Sequence, residues 1–217
     1  MITTMYSHLK PHFVFNSLTA IGSLCSGNSE AQEALTAFSD YLRVNISYHN
    51  QKTPVLFDTE LKHVENYLFL EKLRFEERLI VLYDIKVTGF KVPVLSVQPI
   101  VENAVSHGLF HKPGVGTVRI RTVESETEYI ISVVDDGVGY DTSTSGDSAL
   151  RDNTSGDNTS EDNTSGENVE RENGKSHKGI ENVKNRLASM CGGTLTVYSK
   201  PGVGTRVNIK IPKGSGS

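Results

Sequence analysis

The segment Gln98-Pro99-Ile100-Val101-Glu102-Asn103-Ala104-Val105-Ser106-His107-Gly108 sets an asparagine into an apolar helical pattern. Farther along, Asp135-Asp136-Gly137-Val138-Gly139 closes an apolar strand pattern with a glycine-bearing turn. A fold that carries both must pack a helix on a strand with the amide and the carboxylate opening on one cleft. The surrounding periodicities fit that demand: a helix at about 97–107, strands at 79–85, 117–123, 129–134, 194–199 and 204–211, and a helix at 179–190. Strands and helices segregate instead of alternating, which predicts an α+β unit with an antiparallel or mixed sheet and helices on one face.

The N-terminal part reads differently. Val14, Leu18, Ile21 and Cys25 draw one apolar stripe, with His8, His12, Asn16, Thr19 and Ser23 roughly opposite. Gly27-Asn28-Ser29 breaks that helix, and Ser29 can cap a second one striped by Ala31, Leu35, Phe38, Leu42 and Ile46. A two-helix hairpin cannot bury both stripes alone, so a homodimer closing a four-helix bundle is expected. Thr53-Pro54 ends this module. A third helix, capped by Asp58 or Thr59 and carrying Leu61, Val64, Leu68 and Leu70 or Leu73, is expected to run to about Phe75.

Composition sets the outer limits. The chain has 217 residues, 36% of them hydrophobic, enough for one large or two small domains. A net charge of -4 with no dense Lys/Arg stripe argues against nucleic acid as a partner. Cys25 and Cys191 have no metal-ligand or redox spacing and read as thiols in a reducing compartment. No apolar run is long enough to cross a bilayer, so the expectation is a cytoplasmic, soluble part. Gly214-Ser215-Gly216-Ser217 reads as an artificial tail. Between Tyr140 and Lys178, Asp152-Asn153-Thr154-Ser155-Gly156 recurs nearly unchanged from Asp157 and again from Asp162. Such a repeat has almost nothing to bury and predicts a long flexible loop, placed as a lid.

The chemistry of these residue types suits a nucleotide. Asp135, ending a strand, can accept a hydrogen bond from the exocyclic amine of adenine. Gly137 and Gly139 let backbone pass close to the base. An amide oxygen at Asn103 can complete an octahedral Mg2+ shell made otherwise of phosphate oxygens and water. Gly179 is expected to open a helix whose N-terminal amides suit a phosphate, with Lys175, His177 and Lys178 adding positive charge there. Taken singly, each motif has a plainer reading: D-x-G-x-G is a common turn, Asn103 a helix amide, and Gly202-Val203-Gly204-Thr205 a hairpin. Their order within one domain is what carries the signal. Gly174-Lys175-Ser176 imitates the end of a P-loop, but Val169 stands where its first glycine must be.

With these residues in view, the chain resembles the cytoplasmic kinase core of LytS-type sensor histidine kinases, in the superfamily shared with gyrase, Hsp90 and MutL ATP-binding domains. The resemblance runs from Pro11-His12-Phe13-Val14-Phe15-Asn16 through Tyr67 to Phe75, Gln98 to Gly108, Asp135 to Gly139, Gly179 to Leu187 and Pro201 to Thr205. It implies a helical hairpin at 1–53 for dimerisation and histidine phosphotransfer. It implies an ATP-binding α/β sandwich of the GHKL (Bergerat) type at 54–213, with a lid at about 140–178 and the tail at 214–217. It further implies His12 as phosphoacceptor, Asn103 as magnesium ligand, and Asp135 as the adenine-recognising carboxylate. His107, Gly137, Gly139, Lys178, Gly179, Gly202, Gly204 and Thr205 fall in the ATP-binding motifs. A response regulator is the implied partner, and any membrane link would run through a segment outside this chain.

Three departures from the family pattern stand out: Asp136 where asparagine is usual, Ser106 where lysine or a similar residue is usual, and His177 where the second glycine box begins with glycine. Imidazole at His12 is a competent nucleophile near neutral pH. Phe13 follows it, so no adjacent base is evident; Glu102 is a candidate to orient the ring or the metal, and Asn16 a candidate to position water or a plain surface amide. The expected activity is ATP-dependent autophosphorylation of His12 followed by transfer to an aspartate of the regulator. The alternative is a degenerate nucleotide-binding module without kinase activity. An ATPase of the gyrase or MutL type would need an acidic base where Pro99 stands.

Overall fold

The structure is a computed structural model that describes residues 11–25, 27–47, 53–141 and 167–214, with the side chains of 11–17, 47 and 167–178 outside that description. Most of the loop expected at about 140–178, residues 142–166 with the repeat, therefore lies outside the described residues. Helix α1 spans Pro11–Leu24 and begins on a proline, whose missing N–H is an orphan at that position anyway. Gly27, at φ +104°, turns the chain into α2, Ser29–Ser47. The cap of α2 is Asn28 and not Ser29: Asn28 Oδ1 accepts from Ala31 N–H at 3.0 Å.

Helix α2 uses two faces. Ala37 and Val44 are buried, and Tyr41 packs against the main core. The expected stripe is only half covered, with Phe38 39% exposed, and on α1 Ile21 is 47% exposed. Leu35 meets α1 at Gly22, where an added Cβ would stand 3.0 Å from Leu35 Cδ2.

Strand β1, Val55–Leu56, leads straight into helix α3, Phe57–Phe75. The expected cap at Asp58 or Thr59 is absent; the helix starts earlier, after Leu56, without a side-chain cap, and Asp58 instead places charge in the first turn, where the dipole favours it. Its buried positions are Phe57, Glu60, Leu61, Val64, Tyr67 and Leu68, so Tyr67 and not Leu73 completes the inner stripe. A single 3-10 turn at Glu76–Arg78 feeds strand β2, Leu79–Ile85.

After β3 (Lys91–Val92), which pairs antiparallel with β1, helix α4 covers Gln98–Asn103 and continues as a π-helical turn over Ala104–Leu109. Strands β4 (Gly116–Glu124) and β5 (Glu128–Asp135) form a hairpin, helix α5 runs Glu167–Cys191, and β6 (Thr194–Lys200) and β7 (Gly204–Pro212) close the chain. The main sheet has five strands in the order β2-β4-β5-β7-β6. Only β2 and β4 run parallel, and α4 lies in the crossover that a parallel pair requires. The sheet is mixed, as expected, and its inner residues Val118, Ile120, Ile131, Val133, Val207 and Ile209 bury against Ile100, Val101 and Val105 of α4 and Val183 and Leu187 of α5. Phe57, Phe90 and Tyr129 stack at 5.0 and 4.6 Å and fasten the start of α3 to the sheet.

Helix α5 differs from expectation. Gly179 does not open it but lies twelve residues inside the span Glu167–Cys191. The stretch before it is rich in Glu, Arg and Lys, good helix formers, and the two interior glycines, Gly174 and Gly179, cost only about 1 kcal/mol each against alanine. Gly179 therefore offers no N-terminal amides for a phosphate, and the lid cannot be loop as far as 178.

A buried carboxylate fixes the start of α4. Glu60 has no solvent exposure and accepts from Leu95 N–H at 2.9 Å, Val97 N–H at 2.9 Å and Gln98 N–H at 3.3 Å. Leu95 takes the left-handed conformation at φ +57°, and its carbonyl accepts from Arg186 of α5 at 2.5 Å. Burial raises the Glu60 pKa, which the three amides and Arg186 oppose. Because the folded value lies above the unfolded one, this group's contribution to stability is full at low pH and is lost as pH rises above the ordinary glutamate range. Glu60→Gln keeps an acceptor oxygen without an ionisable group. Urea unfolding from pH 4.5 to 8 should show the variant gaining on the wild type as pH rises, whereas Glu60→Leu, which orphans the amides, should lose about 3 kcal/mol or more throughout.

Candidate nucleotide-binding site

The sheet register brings the separate motifs to one end. Asp135, the last residue of β5, lies opposite Thr205 at the start of β7, while Lys200 at the end of β6 pairs with Gly204. The π-helical turn of α4 arrives at the same end. A Cβ on Gly108 would stand 2.7 Å from Asp135 Oδ1, and one on Gly137 would collide with the Gly108 backbone. Val138 N–H donates to Gly108 O at 3.0 Å, and Gly202 N–H donates to Val138 O at 2.7 Å. Helix end, D-x-G-x-G turn and G-x-G-T hairpin are thus one interlocked unit, and glycine is required where backbones touch. Gly204, at φ +119°, presses on the Asp135 carbonyl in the same way. π-Turns inside helices are rare and concentrate at functional sites; this one follows Asn103 directly.

The Asp135 carboxylate is 6% exposed. Its Oδ1 accepts from Gly137 N–H at 2.9 Å and Thr205 N–H at 3.3 Å, and neither bond uses Oδ2. Burial pushes its pKa up to about 6, opposed by those two amides. Asn103 is half-buried, and its side-chain amide makes no hydrogen bond to any described residue. That unengaged oxygen suits a hard cation that brings phosphate oxygens and water with it. Among the described residues no group of three His, Cys, Asp or Glu could hold a metal by itself. His107 is half-buried on the same helical segment. The Thr205 hydroxyl pairs with Ser199 Oγ at 2.9 Å, which also accepts from Tyr140 N–H at 2.9 Å and so ties the chain entering the repeat to β6.

The departures resolve into contacts. Asp136 turns its carboxylate to Lys112 Nζ at 2.9 Å and Thr117 N–H at 2.7 Å, which hold its pKa below the usual range. It serves the β4–β5 frame, and its charge still reaches Asp135, whose pKa it helps to raise. Ser106 donates back to Glu102 O at 2.6 Å within the helix. Glu102 Oε1 accepts from Gln98 Nε2 at 2.8 Å and from the Tyr41 hydroxyl at 3.2 Å, and burial raises its pKa.

Not every expected residue joins this unit. His12 and Asn16 lie on α1, and Lys178 with His177 on α5, with side chains outside the described residues. Gly179 stays within α5. Sequence reasoning missed Glu60, Arg186 and Tyr41. Glu60 was detectable as a carboxylate on the buried stripe between Phe57 and Val64; Tyr41 and Arg186 left no comparable mark.

The buried charge at Asp135 predicts a stability change of definite sign. Its folded pKa near 6 exceeds the ordinary 3.8, so its contribution is full below that value and is lost as pH rises through about 6. Asp135→Asn retains the acceptor for Gly137 and Thr205 and cannot ionise. At pH 8 it should unfold later in urea than the wild type by up to about 3 kcal/mol, from about 1.4 kcal/mol per pKa unit, with the difference vanishing near pH 4. Gly204→Ala, forced to φ +119° against the Asp135 carbonyl, should instead lose several kcal/mol at every pH.

Comparison with known proteins agrees with this geometry. The family model described as histidine kinase matches residues 1–79, and that described as histidine kinase-, DNA gyrase B-, and HSP90-like ATPase matches residues 94–215. The YwpD protein of Bacillus subtilis (strain 168) is 34% identical over 210 residues, covering 95% of this chain and 68% of that one. The sensor histidine kinase YpdA of Escherichia coli (strain K12) is 35% identical over 142 residues, covering 64% of this chain and 25% of its own. The sensor protein LytS of Staphylococcus saprophyticus is 33% identical over 141 residues, with 64% and 24% covered. The chain spans about a quarter of the length of these two sensor proteins. With a hairpin leading into a mixed-sheet domain whose helix end, aspartate and glycines interlock, the chain belongs to the histidine kinase-, DNA gyrase B- and HSP90-like ATPases, and it is similar to LytS-type sensor histidine kinases.

Proposed function

We propose that this chain phosphorylates itself on His12 with ATP and passes the phosphoryl group to an aspartate of a response regulator. The observation that carries the reading is the convergence of α4, the D-x-G-x-G turn and the G-x-G-T hairpin on Asp135. In this reading Asp135 Oδ2 accepts from the adenine amine, the backbone at Gly137 and Gly139 lies along the base, and Gly202, Gly204 and Thr205 close the floor. Asn103 holds Mg2+ through its amide oxygen, and the ion, when bound, offsets charge on the phosphate oxygens. His107 and Lys178 are assigned to the phosphates; Gly179 remains only as a flexible point in α5.

The transfer needs little from the protein beyond placement. The unprotonated nitrogen of the His12 imidazole attacks the γ-phosphorus in line; the N–P bond forms as the bond to the ADP oxygen breaks, and the ring proton goes to solvent. Asn16, one turn along α1, is assigned to water near the phosphohistidine. Glu102 orients rather than abstracts, because Tyr41 and Gln98 already occupy its Oε1. A homodimer is part of the proposal: Ile21, Leu24 and Phe38 on the hairpin are 47, 85 and 39% exposed, apolar surface that a second copy can cover. The hairpin is assigned to 1–53, the ATP-binding part to 54–213 and the tail to 214–217.

The test is incubation of the wild type and His12→Gln with γ-labelled ATP and Mg2+. Acid-labile, alkali-stable label on the wild type alone is the expected outcome; bound nucleotide without label on either protein would leave a binding module and end the kinase reading. Nucleotide affinity supplies a second check. Asp135→Asn should weaken ATP by about tenfold to a hundredfold, the range for a hydrogen bond to a charged group. In the wild type, affinity should fall as pH drops through about 6, where Asp135 takes up a proton that competes with the adenine amine.

A further inference from the structure

Three elements meet behind Asn103, and their contact is unused by the chemistry above. Glu102 Oε1 accepts from Gln98 Nε2 one turn back on α4, at 2.8 Å, and from the Tyr41 hydroxyl of α2, at 3.2 Å. Gln98 Nε2 also reaches Asn45 Oδ1 of α2 at 3.5 Å. The Tyr41 ring lies 6.1 Å from that of Tyr67 on α3, the planes tilted by 30°. The hairpin therefore touches the ATP-binding part through a polar cluster on the residue that immediately precedes Asn103.

From this we propose that Tyr41 is a positioning residue for Asn103, acting through Glu102, so that the seating of α2 sets how well the site holds Mg2+. Successive residues in a helix are rotated by about 100°, so fixing the azimuth of Glu102 fixes that of Asn103. The start of α4 is pinned by Glu60 and its end by the Gly108 contact with Asp135 and Gly137; between them Ile100, Val101 and Val105 pack into the core, and Glu102 adds a polar hold on the opposite side, next to Asn103. The Asn103 amide has no described partner of its own to keep it aimed, so its direction depends on the helix under it. The inference rests on the reading of Asn103 as the magnesium ligand.

The experiment uses the whole chain and a fluorescent ATP analogue, titrated once with excess Mg2+ and once with EDTA. Tyr41→Phe keeps the ring against Tyr67 and removes only the hydroxyl. It should cost about three- to tenfold of the affinity gained on adding Mg2+, the scale of one ordinary hydrogen bond, and leave the EDTA affinity within about twofold. In a Glu102→Ala background, Tyr41→Phe should change nothing more. Wild-type behaviour of Tyr41→Phe, an equal loss with and without Mg2+, or an additive loss on Glu102→Ala would each overturn the inference. If the wild type itself gained nothing from Mg2+, the Asn103 reading would fall and take this one with it; the labelling of His12 stands or falls separately.

Discussion

A carboxylate sealed from water decides where everything else can sit. Glu60 projects from α3 into the turn before α4 and accepts three backbone amides there. A helix start buried without partners would leave several donors unmet, each at a cost of about 1–3 kcal/mol. Glu60 meets those donors from a neighbouring helix rather than from a local cap, so the direction of α4 is bound to α3. Leu95 shows how tightly: a non-glycine residue at φ +57° is held on its N–H side by Glu60 and on its carbonyl side by Arg186 of α5. Three helices are tied at one non-repetitive turn, and Gln98, Glu102 and Asn103 follow from it in order.

The far end of α4 is fixed by contact instead of charge. Gly108 fits against the Asp135 carboxylate and the Gly137 backbone because neither Gly108 nor Gly137 has room for a Cβ. This closeness buries the Asp135 carboxylate and raises its pKa toward neutrality. A site made this way is less stable than the same fold with a neutral amide would be. Such a trade is typical of binding sites, where a charge is kept that packing alone would remove, and the proposed adenine amine would supply the missing donor.

Much of this was legible in the residues. Strand spans came out nearly as expected because β4, β5 and β7 alternate buried and exposed positions, a period a sequence displays openly. Asp135, Gly137 and Gly204 stand out only through the order of their motifs with the Asn103 helix, because a carboxylate among glycines at a strand end is by itself a common turn. The errors have physical origins as well. The sequence suggests a helix opening at Gly179, yet the charged helix formers before it carry the helix through two interior glycines, Gly174 and Gly179. Asn28 rather than Ser29 caps α2, a choice between neighbours that only backbone direction settles. Tyr41 leaves no mark in the sequence: it falls outside the apolar stripe of its helix, and its meaning arises from Glu102, far away in sequence.

That last case bears on how the two parts of the chain communicate. Helix α2 turns Ala37, Tyr41 and Val44 toward α3 and α4 while Phe38 stays exposed and Leu35 faces α1. A helix with one loosely covered side and one tightly packed side transmits motion asymmetrically. Rotation within a bundle would rearrange apolar contacts around Leu35 and Phe38 at small cost, because aliphatic packing is not directional. On the other side the same rotation has to stretch or break the bond between the Tyr41 hydroxyl and Glu102, which is directional and half-buried. Were the proposed second copy to close a bundle, a small rotation of the hairpin would be taken up at the soft face, and the bond from Tyr41 to Glu102 is the contact beside Asn103 that it would have to strain.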